Sequence, residues 1–337
     1  MRLFRLLSRT TSVLAAGFGL LLGSAMPGQA LDRVKVGVFP VVSSLPYYVA
    51  LERGFFRDQG IETEAVKMMG GPPIVAAMIT GDFDATSNLV MLEGMNANLK
   101  KAGVVTYLSF NAQSKTFPME QYVAKPGLSF ASLADLKTAP KPIKVMSAPG
   151  PGNLIPAREI LKRIGLKEGS DFQVTELAQN LHFEAMKAGT FDLGYTLEPT
   201  ATQLNRAGAA KTVETGVIAK YILGRDDASA WASGGALTQK FITDRPDVAR
   251  RFAAAWRKAI VAIRTDPSTR QYLKGNTLTP PDLAETVPLP GFKMIDEMSA
   301  QELGDLQAYV DFASDAGILS GKIRTRDFAK SLDKPGS

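Results

Sequence analysis

The sequence contains no cysteine and only one histidine. Without cysteine there are no disulfides, no thiolate nucleophile, no thiolate metal site and no residue to carry a lipid anchor. His182 has no partner at metal-ligand spacing, so we expect it to cap a helix or to lie at the surface. The H-E-x-x-H, G-x-S-x-G and Gly-Lys-Ser/Thr motifs are also missing. We therefore expect no catalytic residue, no metal and no cofactor.

Long hydrophobic runs are equally scarce, and the one exception lies near the start of the chain. Residues 13–26 are apolar, follow Arg2, Arg5 and Arg9, and precede small residues that end at Ala30. The run is shorter than the ~20 residues of a membrane-spanning helix, and the layout is that of a secretory signal peptide. We expect cleavage near Ala30 and export to the periplasm without a lipid anchor.

Charge and composition exclude further classes of protein. The formal net charge is +6, and half of it comes from the three arginines of the signal segment. No basic cluster interleaved with aromatic residues remains to bind nucleic acid. With 337 residues, 45% of them hydrophobic, the chain is long enough for two domains with separate cores.

One local pattern occurs twice. Met-x-x-Gly-x-Phe-Asp begins at Met78 and again at Met186, and the Lys-Val pair at Lys35 is echoed at Lys144. Around both copies the order strand, loop, helix, strand, helix, strand recurs. This predicts two similar α/β halves with mostly parallel sheets. An amphipathic helix that starts at Pro246 opens a helical tail, which we expect to pack back on the first half.

Ligands of open parallel sheets bind at the carboxyl ends of the strands, where helices begin. Four segments fall there: residues 40–46, 86–88, 148–153 and 196–200. They carry hydroxyls, an amide, glycines and prolines but no lysine or arginine. Helix N-termini with Ser or Asn side chains suit a sulfonate or carboxylate. The alternative is that each side chain only caps its own helix.

Four further residues have two interpretations each. Glu198 either accepts an N–H of the ligand or starts a helix as part of a Glu-Pro pair. Trp231 either offers a flat wall to the ligand or packs against a turn formed by Gly234 and Gly235. Met69, like Met146, lies close to these loops and either touches the ligand or fills the core.

The segment LPYYVALERGFFRDQGIETE resembles the opening of solute-binding proteins of the nitrate, sulfonate and taurine type. These belong to the NMT1-like superfamily, together with binders of thiamine pyrimidine precursors. MITGDFDATSN, MKAGTFDLGYTLEP and FITDRPDVARRFAAAW are similar to later stretches of that family, so the resemblance covers residues 34–327.

The resemblance implies an α/β, type II periplasmic-binding-protein fold. Two α/β lobes, joined by two crossing strands, hold the ligand in the cleft between them. After a signal peptide at 1–30, the expected lobes are residues 31–115 plus 228–337, and residues 116–227. The implied partners are a small-molecule solute and an ABC permease with its ATPase, and we expect a monomer. The ligand loops of the family fall on these residues: Ser43, Ser44, Ser87, Asn88, Gly152, Asn153, Leu154 and Glu198.

The solute class stays open at this stage. Nitrate-binding relatives resemble one another in a basic or histidine side chain at the ligand, which these loops lack, so we expect a small organic anion such as a sulfonate or carboxylate. Glu198 is the reason to consider a neutral or cationic N-heterocycle or amine instead. An enzyme on this fold would need chemistry for which the chain has few residues. Signalling to a membrane sensor cannot be separated from delivery to a permease by sequence.

Overall fold

The computed structural model describes residues 30–128 and 130–334. The predicted signal peptide lies outside the described residues apart from Ala30, so its cleavage stays a prediction. Within the described part, no helix has both the length and the apolar character needed to cross a membrane.

The strands of the described part form two mixed sheets. The first sheet has the order β12-β5-β11-β3-β1-β2, with β4 also paired to β11, and the second has the order β10-β6-β9-β7-β8. The strands are β1 (Asp32–Val38), β2 (Ile61–Lys67), β3 (Ala85–Val90), β4 (Val105–Tyr107), β5 (Ser109–Gln113), β6 (Glu120–Ala124), β7 (Ile143–Ser147), β8 (Phe172–Glu176), β9 (Leu193–Leu197), β10 (Lys211–Thr215), β11 (Ala230–Thr238) and β12 (Gly291–Met294).

The helices start and stop at the residues that favour helix ends. Pro46 lies in the first turn of the first helix, and Gly54, with φ of 72°, follows its end. The helices are α1 (Leu45–Glu52), α2 (Phe55–Asp58), α3 (Gly71–Thr80), α4 (Met91–Lys100), α5 (Pro151–Arg163), α6 (His182–Lys187), α7 (Thr200–Arg206), α8 (Gln239–Asp244), α9 (Pro246–Thr265), α10 (Ala300–Asp315) and α11 (Thr325–Phe328).

The repeated motif has the same structural role in both sheets. Asp84 Oδ2 accepts a hydrogen bond from the Lys35 N–H at 2.9 Å, and Asp192 Oδ2 accepts one from the Lys144 N–H at 2.8 Å. β1 pairs in parallel with β2 and β3, as β7 does with β8 and β9. The predicted repeat is confirmed, and its aspartates tie neighbouring strands together.

The expectation of mostly parallel sheets is wrong for the other half of each sheet. β11 runs antiparallel to β3 and β5, and β6 runs antiparallel to β9 and β10. The chain passes from the first sheet to the second between β5 and β6 and returns between β10 and β11. Strands that arrive in this way need no helical crossover from a neighbour in their own sheet, so nothing makes them parallel.

The long helix α9 packs on the first sheet together with α1 and α2. The Phe252 ring stacks on Phe56 with 4.8 Å between centroids, and the Trp256 ring lies 5.9 Å from Phe252. Trp256 Nε1 donates to Ser109 Oγ at 2.9 Å. The tail therefore returns to the first sheet as predicted. It is not wholly helical, however, because the short strand β12 pairs with β5.

Gly234 and Gly235 do not form the expected turn. Both lie inside β11, where a Cβ on Gly234 would be 1.9 Å from the Ser109 carbonyl oxygen of β5. Gly234 allows close approach of two backbones, and Gly235 makes room for the Trp256 ring, whose Cζ2 would lie 2.6 Å from a Cβ. A strand with glycines for such contacts looks in sequence like a turn.

A shared cluster of buried apolar residues joins the two sheets. It contains Tyr107 and Phe110 from the first sheet, Tyr122 and Tyr195 from the second, and Tyr309 from α10. Side chains from the two sheets are therefore in contact through this cluster.

Candidate functional site

Two of the predicted serines meet where the chain leaves the carboxyl end of β1 and passes beside β3. Ser44 Oγ lies 2.8 Å from Ser87 Oγ and donates to the Phe39 carbonyl oxygen at 2.5 Å. Ser44 makes no side-chain cap on α1, so capping does not explain it. Ser43 is buried beside it. The parallel pairing of β1 with β3 brings these hydroxyls together, as the sequence predicts.

Asn88 belongs to a buried amide network. Its Oδ1 accepts from Asn111 Nδ2 at 2.8 Å, and the same Asn111 amide donates to Ser233 Oγ at 3.1 Å. Asn111 and Ser233 were not predicted. They lie on β5 and β11, which are far apart in sequence, and no local pattern pairs them.

The N-terminus of α5 is occupied by a carboxylate that the sequence did not single out. Glu93 Oε1, on α4, accepts from the Gly152 N–H at 3.2 Å. A Cβ on Gly150 would lie 2.5 Å from Glu93 Oε1, and one on Gly71 would lie 3.5 Å from it. Three glycines at two helix starts thus make room for this carboxylate. Its only sequence signal is an acidic residue within an apolar stretch.

Two other predicted residues of this helix start are buried and have roles inside the helix. Asn153 Nδ2 donates to the Pro149 carbonyl oxygen at 3.2 Å. The Leu154 N–H donates to the Gly150 carbonyl oxygen at 3.0 Å. Among the predicted residues Gly152, Asn153 and Leu154, it is Gly152 whose N–H donates to Glu93 of the helix that follows β3.

Glu198 is buried and has a partner on each oxygen. Its Oε1 accepts from Gln121 Nε2 at 2.5 Å, and its Oε2 accepts from the Thr202 N–H of α7 at 3.1 Å. Burial raises the pKa of this carboxyl. The helix-start interpretation is confirmed by the Thr202 contact. A role as ligand acceptor would require a solute to replace one of these partners and stays a prediction.

Trp231 and the two methionines lie apart from these contacts. Trp231 is buried on β11, and its ring borders a cavity of about 540 Å³ that also touches Phe117 and Arg270. Met69 is half-buried against the cluster between the sheets. Met146 packs in a small core under the second sheet, which fits the core interpretation. None of the loop residues above lines the cavity at Trp231.

His182 is fully buried, so the expectation of a capping or surface role is wrong. Its Nδ1 lies 2.9 Å from Thr196 Oγ1, and its Nε2 lies 2.9 Å from the Leu177 carbonyl oxygen. Gln179 Nε2 donates to the same Thr196 hydroxyl at 3.1 Å. Burial lowers the pKa of the imidazole from 6.5 to about 4. The ring is a neutral link between β9 and the segment that precedes α6.

This histidine should make the fold less stable in acid. Because its pKa is lower in the folded state, its contribution is complete above pH 6.5 and is lost as the pH falls to about 4. The expected loss is about 3 kcal/mol in the free energy of unfolding. Urea titrations of wild type and His182→Gln between pH 6.5 and 4 measure this loss. The acid-dependent loss assigned to His182 should be present in wild type and absent from the variant. Since the chain has one histidine, an NMR titration midpoint near 6.5 would contradict the buried neutral ring.

Within residues 30–128 and 130–334, no group of three His, Asp or Glu side chains could hold a metal ion.

Comparisons with known proteins agree with this architecture. The model of the NMT1-like family matches residues 28–275. Among curated protein sequences, none matches the chain at a significant level.

Several solved structures share the fold. A ligand-binding component of an ABC-type import system from Staphylococcus aureus, with zinc bound, has a TM-score of 0.72 and 14% identity over 91% of this chain and 99% of that one. The alkanesulfonate-binding protein SsuA from Xanthomonas axonopodis pv. citri, bound to MOPS, has a TM-score of 0.68 and 17% identity over 90% and 99%. The nitrate-binding protein NrtA from Synechocystis PCC 6803 has a TM-score of 0.69 and 14% identity over 89% and 86%. These likenesses confirm the predicted fold class: two α/β units of the periplasmic-binding-protein type. The fold is not confined to binding proteins, since DszB, an enzyme, shares it.

Proposed function

Because the chain belongs to the NMT1-like family, we propose that it is the solute-binding component of an ABC importer. It binds one small organic solute in the periplasm and delivers it to a membrane permease with its ATPase. Binding proteins of this kind predominate among the structures that share the fold. The sequence lacks a thiol nucleophile, which supports binding rather than turnover.

The observation that carries this proposal is the contact between Glu93 and Gly152. Glu93 lies on α4, which follows β3 of the first sheet, and Gly152 lies on α5, which follows β7 of the second. The contact closes the space between the two sets of strand ends, where solutes of such folds bind. We propose that residues 31–115 plus 228–337 move as one lobe, that residues 116–227 move as the other, and that the two crossing segments act as the hinge.

Native mass spectrometry and small-angle X-ray scattering test this function. Protein purified from periplasmic extract without denaturation should carry one small molecule per chain. After unfolding, dialysis and refolding, the chain should lose that molecule and show a larger radius of gyration, which returns to its first value when the extract is added. A chain that carries no solute and scatters identically before and after the treatment would contradict both binding and hinge closure.

Two solute classes are compatible with the role. The hydroxyls of Ser44 and Ser87 and the helix starts support the predicted small organic anion, as does the MOPS bound by the SsuA relative. The buried carboxylates Glu93 and Glu198 support the alternative, a neutral or cationic amine or N-heterocycle. The helix N-terminus that an anion needs on α5 is already taken by Glu93.

A further inference from the structure

A third buried carboxylate lies where the chain passes from the first sheet to the second. Glu120, the first residue of β6, accepts a hydrogen bond from Gln113 Nε2 at 3.2 Å and one from the Tyr195 hydroxyl. Gln113 is the last residue of β5, so this pair brackets the first crossing segment. Glu120 and Glu93 are close enough that the charge of Glu120 acts on Glu93. The two carboxylates form one acidic cluster between the sheets.

This acidic cluster has no balancing cation within the described part of the chain. Neither Glu93 nor Glu120 forms an ion pair there. Burial raises the pKa of Glu93 to about 7, and the charge of Glu120 adds to that effect. Burial also raises the pKa of Glu120. A buried carboxylate is costly to ionise without a cation, so a cation that paired with Glu93 or Glu120 would stabilise its charged form.

Three buried polar atoms in the acidic cluster or in the side chains beside it have no hydrogen-bond partner. They are Glu93 Oε2, Gln113 Oε1 and the Tyr309 hydroxyl oxygen. Gln113 and Tyr309 are each 1% exposed, and the charges of both carboxylates act on Tyr309. The carboxylate and amide oxygens can only accept, and the phenol can also accept. Buried acceptors without a partner are costly, and N–H donors supplied by a ligand would satisfy them.

We propose that Glu93, Glu120 and Gln113 bind the protonated amine or amidine of a cationic solute. The inference rests on the proposed solute-binding function and names its substrate class. The protonated amine or amidine of the solute enters while the lobes are open. Closure of the lobes then places this group between α4 and the crossing segment. The rings of Tyr195 and Tyr309 supply apolar and cation–π surface beside it. Because Gln113 and Glu120 bracket the crossing segment, occupancy of this site acts directly on the hinge.

Charge-matched probes test this proposal. Benzamidine, benzamide and benzoate have nearly the same shape with positive, zero and negative charge, and propylamine, propanol and propanesulfonate form a second series. The refolded, solute-free chain is assayed by thermal melting and calorimetry. We expect stabilisation in the order cation, neutral, anion within each series. Glu93→Gln and Glu120→Gln should each weaken the binding of the cation at least about 10-fold. Glu168→Gln, which alters a surface ion pair with Arg158, serves as the control.

The other possible results contradict the cationic solute class, the site or the solute-binding function itself. Replacement of a buried carboxylate by an amide of the same shape should leave the solute-free melting temperature unchanged or higher, so weaker binding will not reflect misfolding. Stabilisation by the anions alone would overturn the cationic class while leaving the solute-binding function intact. Cation binding that both variants retain would overturn the site. If no probe of either series binds and the scattering experiment shows no closure, both proposals fail.

Discussion

Gly152→Ala is expected to shift the protein strongly towards an open arrangement of its two sheets. A Cβ at this position would lie 2.2 Å from Val90 Cγ1 and 2.6 Å from Glu93 Oε2; Val90 ends strand β3 of the first sheet and Glu93 lies on the helix that follows it. Overpacking of this kind costs typically about 1–3 kcal/mol, or roughly 5- to 150-fold in the closed-to-open equilibrium. Small-angle X-ray scattering should give a larger radius of gyration for the variant, and hydrogen exchange should be faster at the amides of α4.

The same substitution should do little harm to α5 itself. Alanine in a helix is favoured over glycine by roughly 1 kcal/mol, and Gly152 has no positive φ that alanine would resist. Gly304→Ala in α10 is the matched control, because nothing lies within 4 Å of its Cβ position. If the Gly152→Ala protein scatters like wild type and like the control, the contact between α4 and α5 does not hold the sheets together.

The repeated elements were the part of the fold that the sequence could predict. Asp84 and Asp192 bind the backbone of Lys35 and Lys144, because the repeated spacing preserves a local strand-to-strand contact. Periodicity and helix-end residues report such local features. The antiparallel direction of β6 and β11 depends on which sheet the chain enters, and no local pattern records that choice. β12 has only four residues, too few to show alternation.

The site was predicted where it depends on strand ends and missed where it depends on distant partners. The Ser44–Ser87 contact follows from the parallel pairing of β1 with β3. Glu93 was missed because it sits in the first turns of a helix that looks like core, and its partner Gly152 comes from the other sheet. Long-range pairing of buried polar groups has no sequence periodicity, so the acidic cluster could be found only in three dimensions.

Gly234→Ala is expected to be the most destabilising single-methyl change considered. Its Cβ would lie 1.9 Å from the Ser109 carbonyl oxygen, 3.0 Å from the Ser109 carbonyl carbon and 3.1 Å from Phe110 Cα. All three atoms belong to the backbone of β5, so no side-chain rotation can relieve the clash. β11 would have to move away from β5 in the middle of the first sheet. We expect a loss of at least about 4 kcal/mol in the free energy of unfolding, measured by urea titration.

A glycine in the neighbouring edge strand provides the comparison for this variant. At Gly291 in β12 the nearest atom to a new Cβ is the Ala112 Cβ at 3.1 Å, a side-chain contact that a small shift relieves. Gly291→Ala should therefore cost only about 1 kcal/mol or less. Near-equal urea midpoints for the two variants would mean that β11 and β5 are not so closely spaced. A selective loss in Gly234→Ala would show that glycine at this position is required for the close backbone contact between β11 and β5.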